Sequence, residues 1–138
     1  GPFMPDDKFA DLQQQAMDCS NVRCSRYTPH LLSYLRHADL SISMSGYNTT
    51  MNILTTGTRA MLLPFTGNDD REQTIRAHKL AELGVVEAIG AADLEPERFA
   101  QRVMACLQKH PTSMQFDVNG VHTTAQLLSQ LVSAQAAA

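Results

Sequence analysis

The segment RAMLLPF, Arg59 to Phe65, is a near-continuous apolar run set between two stretches of helical spacing. Such a run predicts a strand covered on both faces, the situation inside a parallel sheet whose crossover helices pack on either side. Three further segments read as strands around it. Asn21 to Tyr27 alternates Val22, Cys24 and Arg26 with polar neighbours, Asp39 to Gly46 places Leu40, Ile42 and Met44 at period two, and Val85 to Ile89 is a short apolar stretch.

Helical segments separate these runs. Pro5 to Cys19 opens with proline and two acids, which suits the positive end of a helix dipole. Thr28 followed by Pro29 predicts a cap and first helical residue for a short helix through Ala38. Asn48 or Thr49 is placed to cap a helix carrying Met51, Ile53 and Leu54 as far as Gly57. Asp69 or Asp70 is placed to cap a helix with Ala77, Leu80 and Ala81 on one face, ended by Gly84. Phe99, Val103, Cys106 and Leu107 share a face of the next helix, and Leu127, Leu128, Leu131 and Val132 form a stripe on the last. Strands alternating with helices of this length predict parallel βα units with right-handed crossovers. The expected class is therefore α/β, a Rossmann-like open parallel sheet flanked by helices. At 138 residues the chain is expected to form one domain, with residues 121–138 as a terminal helix and tail.

Charge and cysteine content exclude several functions. A net charge of −3 with scattered Lys and Arg does not supply the clustered cations of a broad nucleic-acid surface. No stretch approaches the roughly 20 apolar residues of a membrane span. Cys19, Cys24 and Cys106 form no CxxC pair, which favours reduced thiols and a cytoplasmic setting over a zinc site or disulfide framework. His30, His37, His78, His110 and His122 fall on different elements without metal-ligand spacing, and no Ser-His-Asp arrangement is indicated. No signal-peptide pattern is visible, and Gly1-Pro2 reads either as a tag-cleavage remnant or as the middle of a longer protein.

Open parallel sheets bind ligands beyond the carboxyl ends of their strands. Three loops fall there: Arg26 to His30, Ser43 to Thr50, and Phe65 to Gln73. In the second, Gly46 allows a ligand close to the backbone, the helix start offers unpaired N–H groups, and Ser45, Thr49 and Thr50 add hydroxyls. The same residues also suit an ordinary βα turn, where Gly and Ser set geometry and Thr caps.

Four features occur in order: GPFMP, ADLSISMSGYNT, LLPF and REQTIRAHKLAELG. Together they resemble the C-terminal, donor-binding half of GT-B glycosyltransferases, especially bacterial predicted glycosyltransferases related to the MurG-like N-acetylglucosamine transferases. The resemblance covers most of the chain from Gly1 to about Leu107. It implies a nucleotide-diphosphate sugar, most readily a UDP sugar, as donor, with no metal or other cofactor. It places Ser45, Gly46 and Thr49 beside the diphosphate, the nucleobase near the backbone of Tyr27 and Thr28, and the donor sugar near Gln73. A ribose-binding Glu usually stands eighth, counting from the residue matching Ser45; this chain has Asn52 there. Asn keeps a carbonyl acceptor but loses the charge, and a charge-assisted bond is roughly twice as strong as a neutral one.

The resemblance also implies a glycine-rich βα turn and an N-terminal acceptor domain that the sequence does not contain, so the chain reads as an inactive C-terminal part of a longer transferase. Peripheral membrane association of the parent and a homodimer of this part are further expectations, the latter through the last helix. Two other readings stand beside it: a non-catalytic α/β interaction module that has lost nucleotide binding, and part of a sugar-nucleotide epimerase or hydrolase.

Overall fold

A computed structural model describes residues 3–67, 71–109, 114 and 116–136. The chain divides into two compact units, Gly1–Tyr34 and Leu35–Ala138.

In the first unit, α1 (Asp6–Met17) follows Pro5 and carries Asp6 and Asp7 in its first turn. Arg26 holds the start of this helix. Its guanidinium pairs with Asp6 at 2.7 Å, donates to the Met4 carbonyl at 2.7 Å, and lies 4.5 Å over the Phe9 ring. The strand expected over residues 21–27 does not form. Val22 N–H bonds locally to the Cys19 carbonyl, Arg26 is drawn to α1, and no described strand offers residues 21–27 a ladder. A short alternation without a pairing edge has nothing to satisfy its backbone as a strand. The following helix, α2 (Leu31–His37), starts later than expected. Thr28 Oγ1 accepts from the His30 N–H at 3.1 Å, and the His30 carbonyl accepts from Ser33 and Tyr34, so Thr28 and Pro29 form the approach rather than the first turn.

The second unit is built on a parallel sheet in the order β1 (Ser41–Met44), β2 (Ala60–Leu63), β3 (Glu87–Ala88). Between strands run α3 (Tyr47–Thr56) and α4 (Glu72–Glu82). After β3 come a 3-10 turn (Ala91–Leu94), α5 (Pro96–Gln108) and α6 (Gly120–Ala136). The α/β class with a Rossmann-like open parallel sheet is thus what the chain forms. β2 is central and covered on both faces, as its apolar run predicts, with Met61 and Leu62 fully buried. Ala60 and Leu62 pack with Ile53, Ala77, Leu80 and Val86 on the α3 and α4 side. On the other face Met61 packs with Ile89 and with Phe99, Val103 and Cys106 of α5. Each large core side chain contributes about 1.5–3 kcal/mol on burial, so these two clusters hold the sheet.

β1 departs from its expected pattern. Ile42 pairs in register with Met61 and Met44 with Leu63, which puts both on the α5 side of the sheet. The cluster there takes in Leu40 but not Ile42 or Met44, which stay 46% and 48% exposed. The serines point the other way, and Ser43 Oγ is buried without a hydrogen-bond partner among the described residues.

Helix ends follow local chemistry. α3 begins at Tyr47 with Gly46 as its cap residue, so Asn48 and Thr49 lie in its first turn instead of capping it. Gly57 ends it at φ 68°, a left-handed conformation that favours glycine. Asp69 and Asp70 lie outside the described residues; the cap position of α4 is Arg71. On α6 the stripe of Leu127, Leu128, Leu131 and Val132 is exposed.

Candidate functional site

The carboxyl ends of the strands converge on the β1–α3 turn and the β2–α4 loop. Ser45 leaves β1 with its N–H bonded to the Leu63 carbonyl at 3.1 Å, which extends the ladder by one residue. Its side chain is fully buried, and Oγ donates to the Gln73 main-chain carbonyl at 3.2 Å while lying 3.5 Å from Gln73 Oε1. Gln73 Oε1 also accepts from the Phe65 N–H at 3.2 Å. One glutamine at the start of α4 therefore fastens the ends of β1 and β2. Its Nε2 is left without a partner among the described residues.

Sequence alone suggests the Ser45 and Thr50 hydroxyls as donors to a ligand; both are buried and spent internally, Ser45 on Gln73 and Thr50 on the Gly46 carbonyl at 3.0 Å. Between them Gly46 adopts φ −60° and ψ 152°, which any residue tolerates, and the space where a Cβ would stand is open. No side chain caps α3, so its first-turn N–H groups retain their hydrogen-bonding capacity. Thr49 is half-buried in that turn, and Asn52 is half-buried one turn on. These five residues, Ser45, Gly46, Thr49, Asn52 and Gln73, belong to the second unit. Tyr27 and Thr28 belong to the first, where Tyr27 is 67% exposed and Thr28 is half-buried with its hydroxyl engaged by His30.

Arg76, one turn along α4 from Gln73, completes the turn. Its Nη1 donates to the Ser45 carbonyl at 2.9 Å, its Nη2 pairs with Glu72, and the guanidinium lies 5.7 Å over the Tyr47 ring. Beside these groups a cleft of about 470 Å³ opens at the strand ends, lined by Met44, Phe65, Thr74, His78, Ile89 and Leu94 among others. Sequence reading passes over Arg76 and Thr74, and it sets His78 aside with the other histidines for want of metal-ligand spacing. The available signal is spacing: Thr74 and His78 are four apart on one helix, as are Glu72 and Arg76. Near the cleft, Asp93 has its carboxyl held below the usual range, first by the Gly90 N–H and then by Arg98. Its bonds to these two groups close the 3-10 turn, a structural task. No cluster of His, Cys, Asp or Glu among the described residues could hold a metal ion.

A parallel sheet with an uncapped glycine turn at its strand ends is shared by many α/β proteins, and sequence comparison separates them. Residues 4–131 match the glycosyltransferase family 28 C-terminal domain. The chain belongs to that family. As a family 28 C-terminal domain it is similar to UDP-N-acetylglucosamine–N-acetylmuramyl-(pentapeptide) pyrophosphoryl-undecaprenol N-acetylglucosamine transferases. The Methylobacterium radiotolerans enzyme is 27% identical over 127 residues, covering 88% of this chain and 34% of that protein. The Brucella anthropi enzyme is 33% identical over 105 residues, covering 72% of this chain and 28% of that protein. The Brucella canis enzyme is 35% identical over 72 residues, covering 52% of this chain and 19% of that protein. The family 28 domain described here thus spans about a third of these relatives or less. No solved structure matches it. Among the described residues, no helix is long and apolar enough to cross a membrane.

Proposed function

We propose that this domain binds the donor of a glycosyltransferase, a nucleotide-diphosphate sugar and specifically a UDP sugar, for transfer to an acceptor. The match over residues 4–131 carries this reading. The relatives' printed activity uses a UDP sugar, which supports the same donor here.

On this reading the diphosphate meets the backbone at Gly46 and the first turn of α3, with Thr49 as a further contact. The open space at Gly46 and the uncapped helix start support that placement. Gln73 contacts the donor sugar through the amide nitrogen that its clasp leaves unpaired. Asn52 takes the ribose. The domain's share of catalysis is to orient the donor and to offset charge on the departing diphosphate, without a covalent intermediate. An acceptor domain in the parent protein supplies the rest, so the domain alone turns over no substrate; the parent works at the cytoplasmic side, with no metal required.

Calorimetric titration with UDP, GDP, CDP and dTDP tests the reading. Saturable binding of UDP in preference to the other diphosphates supports it. Absence of saturable binding up to millimolar concentrations of all four favours a non-catalytic module in which Asn52 marks a lost ribose contact.

A further inference from the structure

Arg76 touches the residue on each side of the turn glycine, hydrogen-bonding the Ser45 carbonyl at 2.9 Å and lying 5.7 Å over the Tyr47 ring. The Ser45 carbonyl and the Gly46 N–H belong to one planar trans peptide unit, so a group that fixes the oxygen also fixes the direction of the N–H. The guanidinium is itself held: its side chain is only 17% exposed, and Glu72 on the same helix pairs with it. A cation on the carbonyl oxygen also draws electron density through the amide and strengthens its N–H as a donor. No described group accepts from the Gly46 N–H.

We propose that Arg76 is a positioning residue for the donor's diphosphate: through the Ser45 carbonyl it aims and polarises the Gly46 N–H, which then donates to a phosphate oxygen. The proposal rests on the donor-binding function above. It gives Arg76 a role in anion affinity that a plain packing contact between α4 and β1 would not have. Because Glu72 draws on the same guanidinium, neutralising Glu72 strengthens the effect.

UDP titrations of the 138-residue chain and its Arg76→Gln, Arg76→Lys and Glu72→Gln variants test this, read by UDP affinity, by the Gly46 amide proton shift without ligand, and by melting temperature. Arg76→Gln is expected to weaken UDP binding about tenfold, the scale of one hydrogen bond to a charged group, and to move the Gly46 amide proton upfield. Arg76→Lys keeps the cation and recovers most of the affinity, and Glu72→Gln tightens UDP binding. The proposal is overturned by unchanged UDP affinity in Arg76→Gln, or by equal losses in the Gln and Lys variants. Should Arg76→Gln not fold, the other two decide, and a Glu72→Gln affinity equal to or weaker than that of the parent chain overturns it. Failure of the unsubstituted chain to bind UDP removes the donor reading and this inference together; UDP binding that is indifferent to Arg76 removes the inference alone.

Discussion

Ser45 and Gln73, 28 residues apart, are joined by the Ser45 hydroxyl, which donates to the Gln73 carbonyl at 3.2 Å from a fully buried position. Because Gln73 Oε1 also receives the Phe65 N–H, the pair sets the spacing of the two strand ends that frame the site. Ser45→Ala is expected to lower unfolding stability by about 0.5–1.5 kcal/mol, the usual net worth of an internal hydrogen bond. Gln73→Ala removes the side-chain half of the clasp. In urea denaturation the two losses are expected to be non-additive in the double variant, since the residues share one network.

Gly46 and Gly57 differ in what they need from glycine. At Gly46 the backbone is ordinary and the space is open, so Gly46→Ala meets no strain and is expected to cost about 1 kcal/mol or less, the difference between Gly and Ala as helix N-cap residues. The added methyl stands where the ligand is proposed to approach, so UDP affinity falls. Gly57 sits at φ 68°, and Gly57→Ala is expected to cost about 1 kcal/mol with no change in UDP affinity. Paired melting and titration measurements check both halves of the contrast.

On the proposed reading, Asn52 stands where the resemblance implies a ribose-binding Glu. Restoring a carboxylate with Asn52→Glu is expected to tighten UDP binding by up to about tenfold, because a charged acceptor makes the stronger hydrogen bond. 2′-Deoxyuridine and 3′-deoxyuridine diphosphates are expected to gain less than UDP, which ties any change to the ribose hydroxyls.

Cys106 is buried against the sheet, and its thiol is pushed above the usual value of 9.0, chiefly by burial and next by the negative charge of Glu87. Above that pH the unfolded chain loses the proton while the folded chain keeps it, so ν_U falls below ν_N and stability declines as pH rises. The contribution is fully present below about pH 9 and is lost on the alkaline side. Cys106→Ala is expected to flatten this part of the pH profile in urea unfolding between neutral pH and about pH 10.

Much of the second unit was legible because its signals are local. The apolar run around Met61 and Leu62, the left-handed cap at Gly57 and the helical spacing of Phe99, Val103 and Cys106 each carry one physical meaning. The reading of residues 21–27 as a strand failed because alternation shows which side chains could share a face, not whether a neighbouring strand will pair. Ile42 and Met44 illustrate the same gap: their periodicity marks a strand, but α5 packs over Leu40 and β2 and leaves them half-exposed. The site was legible as a turn and a loop, through Ser45, Gly46 and Gln73. That Ser45 serves Gln73, and that Arg76 reaches back to the Ser45 carbonyl, depend on contacts across 28 and 31 residues that no local pattern encodes.

Binding of UDP at the β1–α3 turn is decided by mapping amide shifts during a UDP titration. The prediction is saturable shifts concentrated at Gly46 to Asn52 and Gln73. Saturable shifts elsewhere that leave Gly46 to Asn52 unmoved, or no saturable shift at millimolar UDP, would contradict it.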